Sequence, residues 1–276
     1  MPPLSRIHPA AFVTGASGGL GRAFAEMLLA EGVQVWGTAR DASRLAGLAD
    51  RSGFHPVALD LAHAAGTLAA WRQAQTESGG LTLLVNNAGY GCFGDFSAEP
   101  WATWESQVQA MLVTTLALTH AAAGDLRRRG SGTIVNVSSL AVEFPLPYMS
   151  AYNVAKAGLS ALSESLMIET AGTGLTVVDF RPGDYRTGFN QAMPSRPPSP
   201  SAAPRLARAW QALEVNLLAA PEPGRAAGDL RRALAARRSG VVRSGTFFQA
   251  RLAPLLARFA PLSWRRAVAA RYFGVA

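Results

Sequence analysis

The chain has 276 residues, of which 49% are hydrophobic and 16% charged, so it can bury the core of one α/β domain and is not disordered. Its net charge of +8 is concentrated in residues 225–276, which carry eleven arginines against one acidic residue. A single cysteine, Cys92, excludes an intramolecular disulfide, and the N-terminus lacks the apolar core of a signal peptide, so we expect a cytoplasmic protein.

Short, nearly continuous apolar runs alternate with helical patterns over the first 180 residues. The predicted strands are 10–14, 33–38, 54–59, 81–86, 133–138 and 175–180. The predicted helices lie near 20–31, 41–51, 64–78, 101–129 and 151–172. Strands that are apolar on both faces and alternate with helices are typical of a parallel sheet. We therefore predict an α/β fold, a Rossmann-type doubly wound parallel sheet.

The pattern changes after Pro182. Residues 193–204 are too rich in proline and serine for a regular helix or a central strand, and we interpret about 188–220 as a substrate lid. Helical patterns resume at 205–219 and 222–238, and a short strand follows near 240–243. Over 247–273, aromatic and aliphatic residues are interleaved with arginines. We predict one domain over 1–245 and an amphipathic, basic C-terminal extension over 246–276.

A glycine-rich turn, Thr14 to Gly21, directly follows the first predicted strand and opens the first predicted helix. Glycines there allow the backbone to approach a pyrophosphate, which binds the free N–H groups at the helix N-terminus. The spacing is G-x-x-x-G-x-G, which differs from the usual dinucleotide pattern and from a P-loop. The turn therefore indicates a cofactor site, with a tight turn that binds nothing as the alternative.

Arg40 ends the second predicted strand, at the place where an NAD site would present an acidic residue to the ribose. A guanidinium group suits a 2′-phosphate instead, so the sequence favours NADP(H). The alternative is an ordinary surface arginine at the start of the next helix.

Tyr152 lies four residues before Lys156, the only lysine of the chain, so the two share one helix face. A free phenol has a pKa of about 10, and a nearby ammonium group would lower it toward neutrality. Ser139, at the end of a predicted strand, would hold a substrate oxygen on which negative charge develops. Ser138, directly before it, is the alternative hydroxyl.

These motifs together resemble the short-chain dehydrogenase/reductase family over residues 10 to about 190. The resemblance rests on the glycine turn, Asp60, Asn86-Asn87-Ala88-Gly89, Ser139, Tyr152-x-x-x-Lys156, and Arg181-Pro182-Gly183 followed by Thr187. It implies that Tyr152 is the general acid/base, with Ser139 and Lys156 also catalytic. It also implies that Asp60 contacts the adenine, Thr187 binds the carboxamide, and Asn87-Ala88-Gly89 stabilises the sheet beside the cofactor. The predicted NADP(H)-binding residues are Thr14, Gly15, Ser17, Gly18, Gly19, Leu20, Gly21, Arg40, Asp60, Leu61, Asn87, Ala88, Gly89, Tyr152, Lys156, Pro182, Gly183 and Thr187.

One position departs from the family pattern. The family usually carries an asparagine in the helix before the serine strand, where it links the lysine to bulk water, and that position is Met111 here. Methionine cannot take part in a proton relay. Gln109 and Thr115 are near in sequence, but nothing in the sequence shows that either faces the lysine.

The segments that form the substrate pocket in the resembling family are apolar in this chain. This favours a hydrophobic ketone or alcohol, although such residues can equally belong to the core. The residues are Tyr90, Phe93, Val142, Phe144, Leu146, Tyr148, Phe189 and Met193. The extension at 246–276 could lie on an anionic membrane surface, or complete the pocket or a subunit interface; we expect no nucleic acid and assign no metal ligands.

We therefore predict an NADP(H)-dependent oxidoreductase that interconverts a hydrophobic ketone or aldehyde and its alcohol, as a homodimer or homotetramer. Met111 favours one alternative, a catalytically weak or silent NADP(H)-binding sensor or scaffold. Non-redox chemistry such as dehydration on the same scaffold is another.

Overall fold

The computed structural model describes residues 2–189, 193 and 203–275. Seven parallel strands form one sheet in the order β3-β2-β1-β4-β5-β6-β7. Their bounds are β1 Ala10–Val13, β2 Gln34–Ala39, β3 Phe54–Ala58, β4 Leu83–Asn86, β5 Gly132–Val137, β6 Leu175–Pro182 and β7 Gly240–Ser244. The order reverses between β1 and β4, as expected for a doubly wound sheet.

Helices cover both faces of the sheet. Their bounds are α1 Gly19–Ala30, α2 Ala46–Ala49, α3 Ala64–Glu77, α4 Trp101–Val108, α5 Thr114–Arg129, α6 Ser150–Glu169, α7 Pro204–Leu218, α8 Pro223–Ala236, α9 Ala253–Phe259 and α10 Leu262–Tyr272. No helix among the described residues combines the length and the apolar content needed to cross a membrane.

Strand β1 is apolar throughout because helices cover the sheet on both of its faces. Ala11 and Val13 pack into the core layer that contains α1 and α8, whereas Phe12 packs into the layer of α3 and α5. Phe12 meets the Trp71 ring of α3 edge-on at 5.7 Å between centroids. Successive strand residues point to opposite faces, so both sets of β1 side chains are buried in an apolar layer. The predicted doubly wound fold is confirmed.

Two predicted helices differ from the structure. The segment 101–129 is interrupted by a π-helical turn at Gln109–Val113, where the Thr115 hydroxyl donates to the Ala110 carbonyl at 3.3 Å. The segment 41–51 is a 3-10 turn, Ala42–Leu45, followed by the single turn of α2.

The C-terminal extension consists of a π-helical turn, Phe248–Leu252, followed by α9 and α10. Pro261 stands at the start of α10, where its missing N–H prevents α9 from continuing. Beyond α10, Phe273 and Val275 pack with Trp210 and Leu213 of α7 in a third core cluster. Within the predicted lid, α7 is helical, and residues 190–192 and 194–202 lie outside the described part of the chain.

We expect Gly21→Ala to lower the free energy of unfolding by about 2 kcal/mol, because overpacking of a filled site is destabilising. A Cβ atom on Gly21 would lie 2.1 Å from the Gly15 carbonyl oxygen and 2.3 Å from Asn87 Nδ2. Gly224→Ala is the matched control, since Gly224 also lies in a first helical turn and a Cβ there meets nothing within 4 Å. Urea unfolding of both variants checks this. A Gly21→Ala protein as stable as Gly224→Ala would contradict it.

Candidate active site

A cavity of about 650 Å³ lies at the carboxyl ends of β1 to β6. Ligands of open parallel sheets bind at this edge, beside the point where the strand order reverses. Every residue predicted above to be catalytic or cofactor-binding lines this cavity, with the exception of Thr14. The topology therefore brings the predicted site together from six strand ends.

Thr14 supports the glycine turn from behind instead of lining the cavity. It is buried, and its hydroxyl oxygen accepts hydrogen bonds from the Asn87 and Ala88 amides at 2.9 and 3.0 Å. Asn87 Nδ2 in turn donates to the carbonyls of Thr14 and Gly15 at 2.9 and 3.2 Å. Thr14 and Asn87 thus join the ends of β1 and β4 and fix the turn.

The turn fits the pyrophosphate of a dinucleotide. Gly15 has a φ of +71°, in the left-handed region, and a Cβ atom there would lie 2.9 Å from the Cα of Ala88. Gly18 is the N-cap of α1 and provides no side-chain cap, so the first N–H groups of the helix are available to an anion.

Two arginines line the end of the cavity next to β2. Arg40 is exposed and follows β2 directly, and Arg44 lies four residues later in the 3-10 turn Ala42–Leu45. Asp60, after β3, lines the same end and accepts a hydrogen bond from the Ala62 amide at 2.9 Å. Sequence reasoning missed Arg44, although its four-residue spacing from Arg40 was a readable signal.

Tyr152, Ser139 and Lys156 meet at the opposite part of the cavity. The Ser139 side chain is the polar neighbour that favours ionisation of the Tyr152 phenol, and the Ser139 hydroxyl oxygen accepts from the Ala141 amide at 3.0 Å. Lys156 Nζ donates to the Val137 carbonyl at 2.6 Å and lies 5.8 Å from the centroid of the Tyr152 ring.

Ser138 is committed to a different partner. Its hydroxyl donates to the buried carboxylate of Asp179 on β6. Asp179 also accepts from Ser160 at 2.7 Å and pairs with Arg181 at 2.7 Å. The geometry therefore favours Ser139 over Ser138 as the hydroxyl that acts with Tyr152.

The expected lowering of the Tyr152 pKa is not what the structure shows. Burial raises the pKa of Tyr152 to about 12, and the carboxylate of Asp184 adds to the rise, while the Ser139 side chain opposes it. Burial also lowers the pKa of Lys156 to about 8. The expectation was wrong because it considered the ammonium group without the loss of hydration that both groups undergo.

Met111 lies beside the lysine, as the sequence position indicates. A Cβ atom placed on Gly89 would be 3.1 Å from the Met111 methyl group and 3.6 Å from Lys156 Nζ. Gln109 Nε2 donates to the Thr114 hydroxyl at 3.4 Å, and the Thr115 hydroxyl is bonded to a backbone carbonyl. These two polar neighbours are thus engaged within their own helix.

Asp184 is a site residue that sequence reasoning missed. It lines the cavity, and its carboxylate accepts from Gln249 Nε2 at 2.7 Å and from the Tyr272 hydroxyl at 3.4 Å. Burial raises the pKa of Asp184. Its place directly after Gly183 was visible in the sequence, but its two partners lie more than sixty residues away, at 249 and 272.

The predicted apolar pocket is divided between the cavity and the core. Four of its members line the cavity, namely Tyr90, Phe144, Leu146 and Phe189. Phe189 meets the Tyr152 ring edge-on at 5.7 Å between centroids. The other members do not line it, and Phe93, Tyr148 and Met193 pack in the third core cluster. Residues of the C-terminal extension complete the wall: Phe248, Gln249, Ala253, Val268, Ala269, Tyr272 and Phe273.

Comparison with known proteins agrees with this geometry. The short chain dehydrogenase family profile matches residues 9–197. An uncharacterized oxidoreductase of Myxococcus xanthus is 36% identical over 178 residues, which cover 63% of this chain and 70% of that protein. The 3-oxoacyl-(acyl-carrier-protein) reductase of Vibrio cholerae is 30% identical over 185 residues, covering 66% and 76%. A short-chain dehydrogenase structure from Streptomyces avermitilis superimposes with a TM-score of 0.77 at 28% identity, covering 94% and 96%.

NAD(P)-dependent hydride transfer is the general reaction of the matched family, whose members act on small-molecule substrates. The matched region contains the glycine turn, the Ser139, Tyr152 and Lys156 cluster, and all six strand ends that line the cavity. The chain is therefore an oxidoreductase of the short-chain dehydrogenase/reductase family.

Proposed function

We propose that the protein interconverts a hydrophobic ketone or aldehyde and its alcohol with NADP(H). The observation that supports this most directly is the cluster of Tyr152, Ser139 and Lys156, which lines the same cavity as the glycine turn. NADP(H), bound along the glycine turn, would supply or accept the hydride.

The side chains of the cluster have complementary roles in reduction. Tyr152 donates its phenolic proton to the substrate oxygen, and its raised pKa keeps that proton in place at neutral pH. Ser139 donates a hydrogen bond to the same oxygen while negative charge develops on it. Lys156, charged below a pH of about 8, stabilises the phenolate that remains after proton donation. In the oxidative direction each step runs in reverse.

The preference for NADP(H) rests on Arg40 and Arg44. Both line the end of the cavity next to β2, where the adenosine ribose of a dinucleotide held by the glycine turn would lie. Two guanidinium groups at that position favour a phosphorylated ribose.

A hydrophobic substrate is supported by the aromatic and aliphatic wall around Tyr152, formed by Phe144, Leu146 and Phe189 with part of the C-terminal extension. The similarity to a 3-oxoacyl reductase points the same way, since an acyl chain is apolar. Asp184 adds one polar group to this wall. We propose that its carboxylate accepts a hydrogen bond from a hydroxyl or amide group of the substrate.

We further propose that the protein is a cytoplasmic homodimer or homotetramer. Three exposed apolar side chains would offer a face to a second copy, namely Val154 on α6, Val113 in the π-helical turn and Leu116 on α5.

We also propose that about 188–220 forms the substrate lid. This is supported by three residues of that segment that line the cavity, Phe189, Leu213 and Leu217.

A second candidate function is a sensor or scaffold that binds NADP(H) without efficient turnover. Met111 favours it, because a methionine beside Lys156 leaves the ammonium without a side-chain proton relay on that side. The intact Ser139, Tyr152 and Lys156 cluster favours catalysis.

For cofactor preference, we expect Arg40→Asp to weaken NADPH binding at least about tenfold, because charge-assisted hydrogen bonds contribute about 1.5–3 kcal/mol. NADH binding should change little. Fluorescence titration with both cofactors measures this, with Arg51→Asp as the control, since Arg51 is exposed and does not line the cavity. An unchanged ratio of NADPH to NADH affinity in Arg40→Asp would contradict the assignment.

For catalysis, we expect NADPH oxidation with a panel of hydrophobic ketones and aldehydes, reduced at least about 100-fold in Tyr152→Phe because the general acid is lost. NADPH binding should stay within a few-fold of wild type. Tyr148→Phe, which removes a hydroxyl outside the cavity, is the matched control and should keep its activity. Tight NADPH binding with no turnover of any member by the wild type would instead support the sensor.

A further inference from the structure

The C-terminal extension exposes apolar side chains on its outer side. Phe248, Leu252, Leu255, Leu256 and Phe259 recur along the π-helical turn Phe248–Leu252 and α9, and Trp264 follows on α10. All six are exposed, and the exposed fractions of Phe259 and Trp264 reach 79% and 69%. We call these six residues the C-terminal surface. Contiguous exposed apolar groups of this kind usually mark an interaction site.

The C-terminal surface is surrounded by positive charge. Residues 246–276 contain five arginines and no acidic residue. Arg251, Arg266 and Arg271 are exposed on the same helical segments as these apolar side chains. Aromatic and aliphatic residues combined with arginines are the composition of helices that lie in the interface of an anionic membrane.

The inner side of the same extension is fixed to the active site. Gln249 and Tyr272 donate to Asp184 in the cavity. Arg265 donates to the Glu143 carbonyl, and its guanidinium carbon lies 6.0 Å from the centroid of the Phe144 ring. The outer surface is therefore presented in a defined orientation relative to the cavity.

Three residues of the extension form the rim of the cavity. Phe248, Val268 and Tyr272 line it, yet their exposed fractions are 57%, 65% and 48%. Phe248 belongs to both the rim and the C-terminal surface. The other two rim residues lie on α10, as does Trp264 of the C-terminal surface. The mouth of the cavity thus opens next to the exposed apolar groups.

Two occupants could cover this surface, and charge decides between them. A second copy docked symmetrically would bring the exposed Arg251, Arg266 and Arg271 against the same three arginines, with no acidic residue of the extension to balance them. An anionic bilayer accepts the apolar side chains and neutralises the arginines at the same time. We propose that the C-terminal surface binds the face of an anionic phospholipid bilayer, so that the cavity rim lies against the membrane.

This binding does not require the enzymatic activity. If the proposed function is also correct, a hydrophobic ketone or alcohol dissolved in the bilayer can enter the cavity past Phe248, Val268 and Tyr272 without crossing water. The membrane test below reads binding alone, so its failure and the failure of the NADPH-oxidation test are distinguishable.

The test is flotation of the full-length protein with vesicles of phosphatidylcholine and phosphatidylserine in equal amounts, compared with phosphatidylcholine alone. We expect binding to the anionic vesicles that falls as salt is raised. The double variant Leu255→Ser/Trp264→Ser should bind at least about tenfold more weakly, since it removes apolar area that the bilayer would bury. Arg251→Glu/Arg266→Glu should also lose at least about tenfold, because each basic group at such a surface contributes about a factor of five.

The matched controls carry substitutions of the same type at exposed residues outside the C-terminal extension. Ile168→Ser/Trp101→Ser replaces two exposed apolar residues, and Arg51→Glu/Arg72→Glu reverses two exposed charges. Both should bind vesicles like the wild type, and urea unfolding reports that every variant is folded. Equal losses in the controls, no preference for anionic vesicles, or self-association that only the C-terminal variants abolish would each overturn the proposal.

Discussion

A buried ammonium group is the constraint on which the arrangement of the active site depends. Lys156 is 6% exposed, and a charged group at that depth needs a hydrogen-bond acceptor. The Val137 carbonyl at the end of β5 is that acceptor, at 2.6 Å. This contact ties α6 to the sheet edge and places Tyr152, one helical turn earlier, beside Ser139. Asp179 adds a favourable charge, and Arg181 and two serines hold it in position.

The same burial determines how the site handles protons. It raises the pKa of Tyr152 while it lowers that of Lys156, so near neutrality the phenol keeps its proton and the ammonium is close to its titration range. Met111 occupies the side of the lysine where the family usually has a polar relay. Asp184 also lines the cavity, and its charge further favours the protonated phenol. The site is therefore better prepared to donate a proton than to exchange it rapidly along side chains.

The sequence predicts the sheet, the glycine turn and the Tyr152–Lys156 pair because each depends on local spacing. Strands apolar on both faces and a four-residue helical interval need no knowledge of distant residues. What it missed depends on long-range packing. Thr14 turns inward because Asn87, 73 residues away, hydrogen-bonds it. The Tyr152 pKa follows burial by several segments, and Asp184 acquires its role from Gln249 and Tyr272. Phe93, Tyr148 and Met193 belong to the core because the C-terminal residues and α7 pack on the same cluster.

The lowered pKa of Lys156 tests this account most directly, and the chain is suited to the measurement because it has one lysine. Lysine labelled with carbon-13 at Cε gives a single side-chain NMR signal whose chemical shift reports the charge of the ammonium as pH is raised. Burial predicts a titration midpoint near pH 8, with the group charged below it and neutral above. A midpoint at the ordinary value of about 10.4 would contradict the buried, carbonyl-bound ammonium on which the site is built.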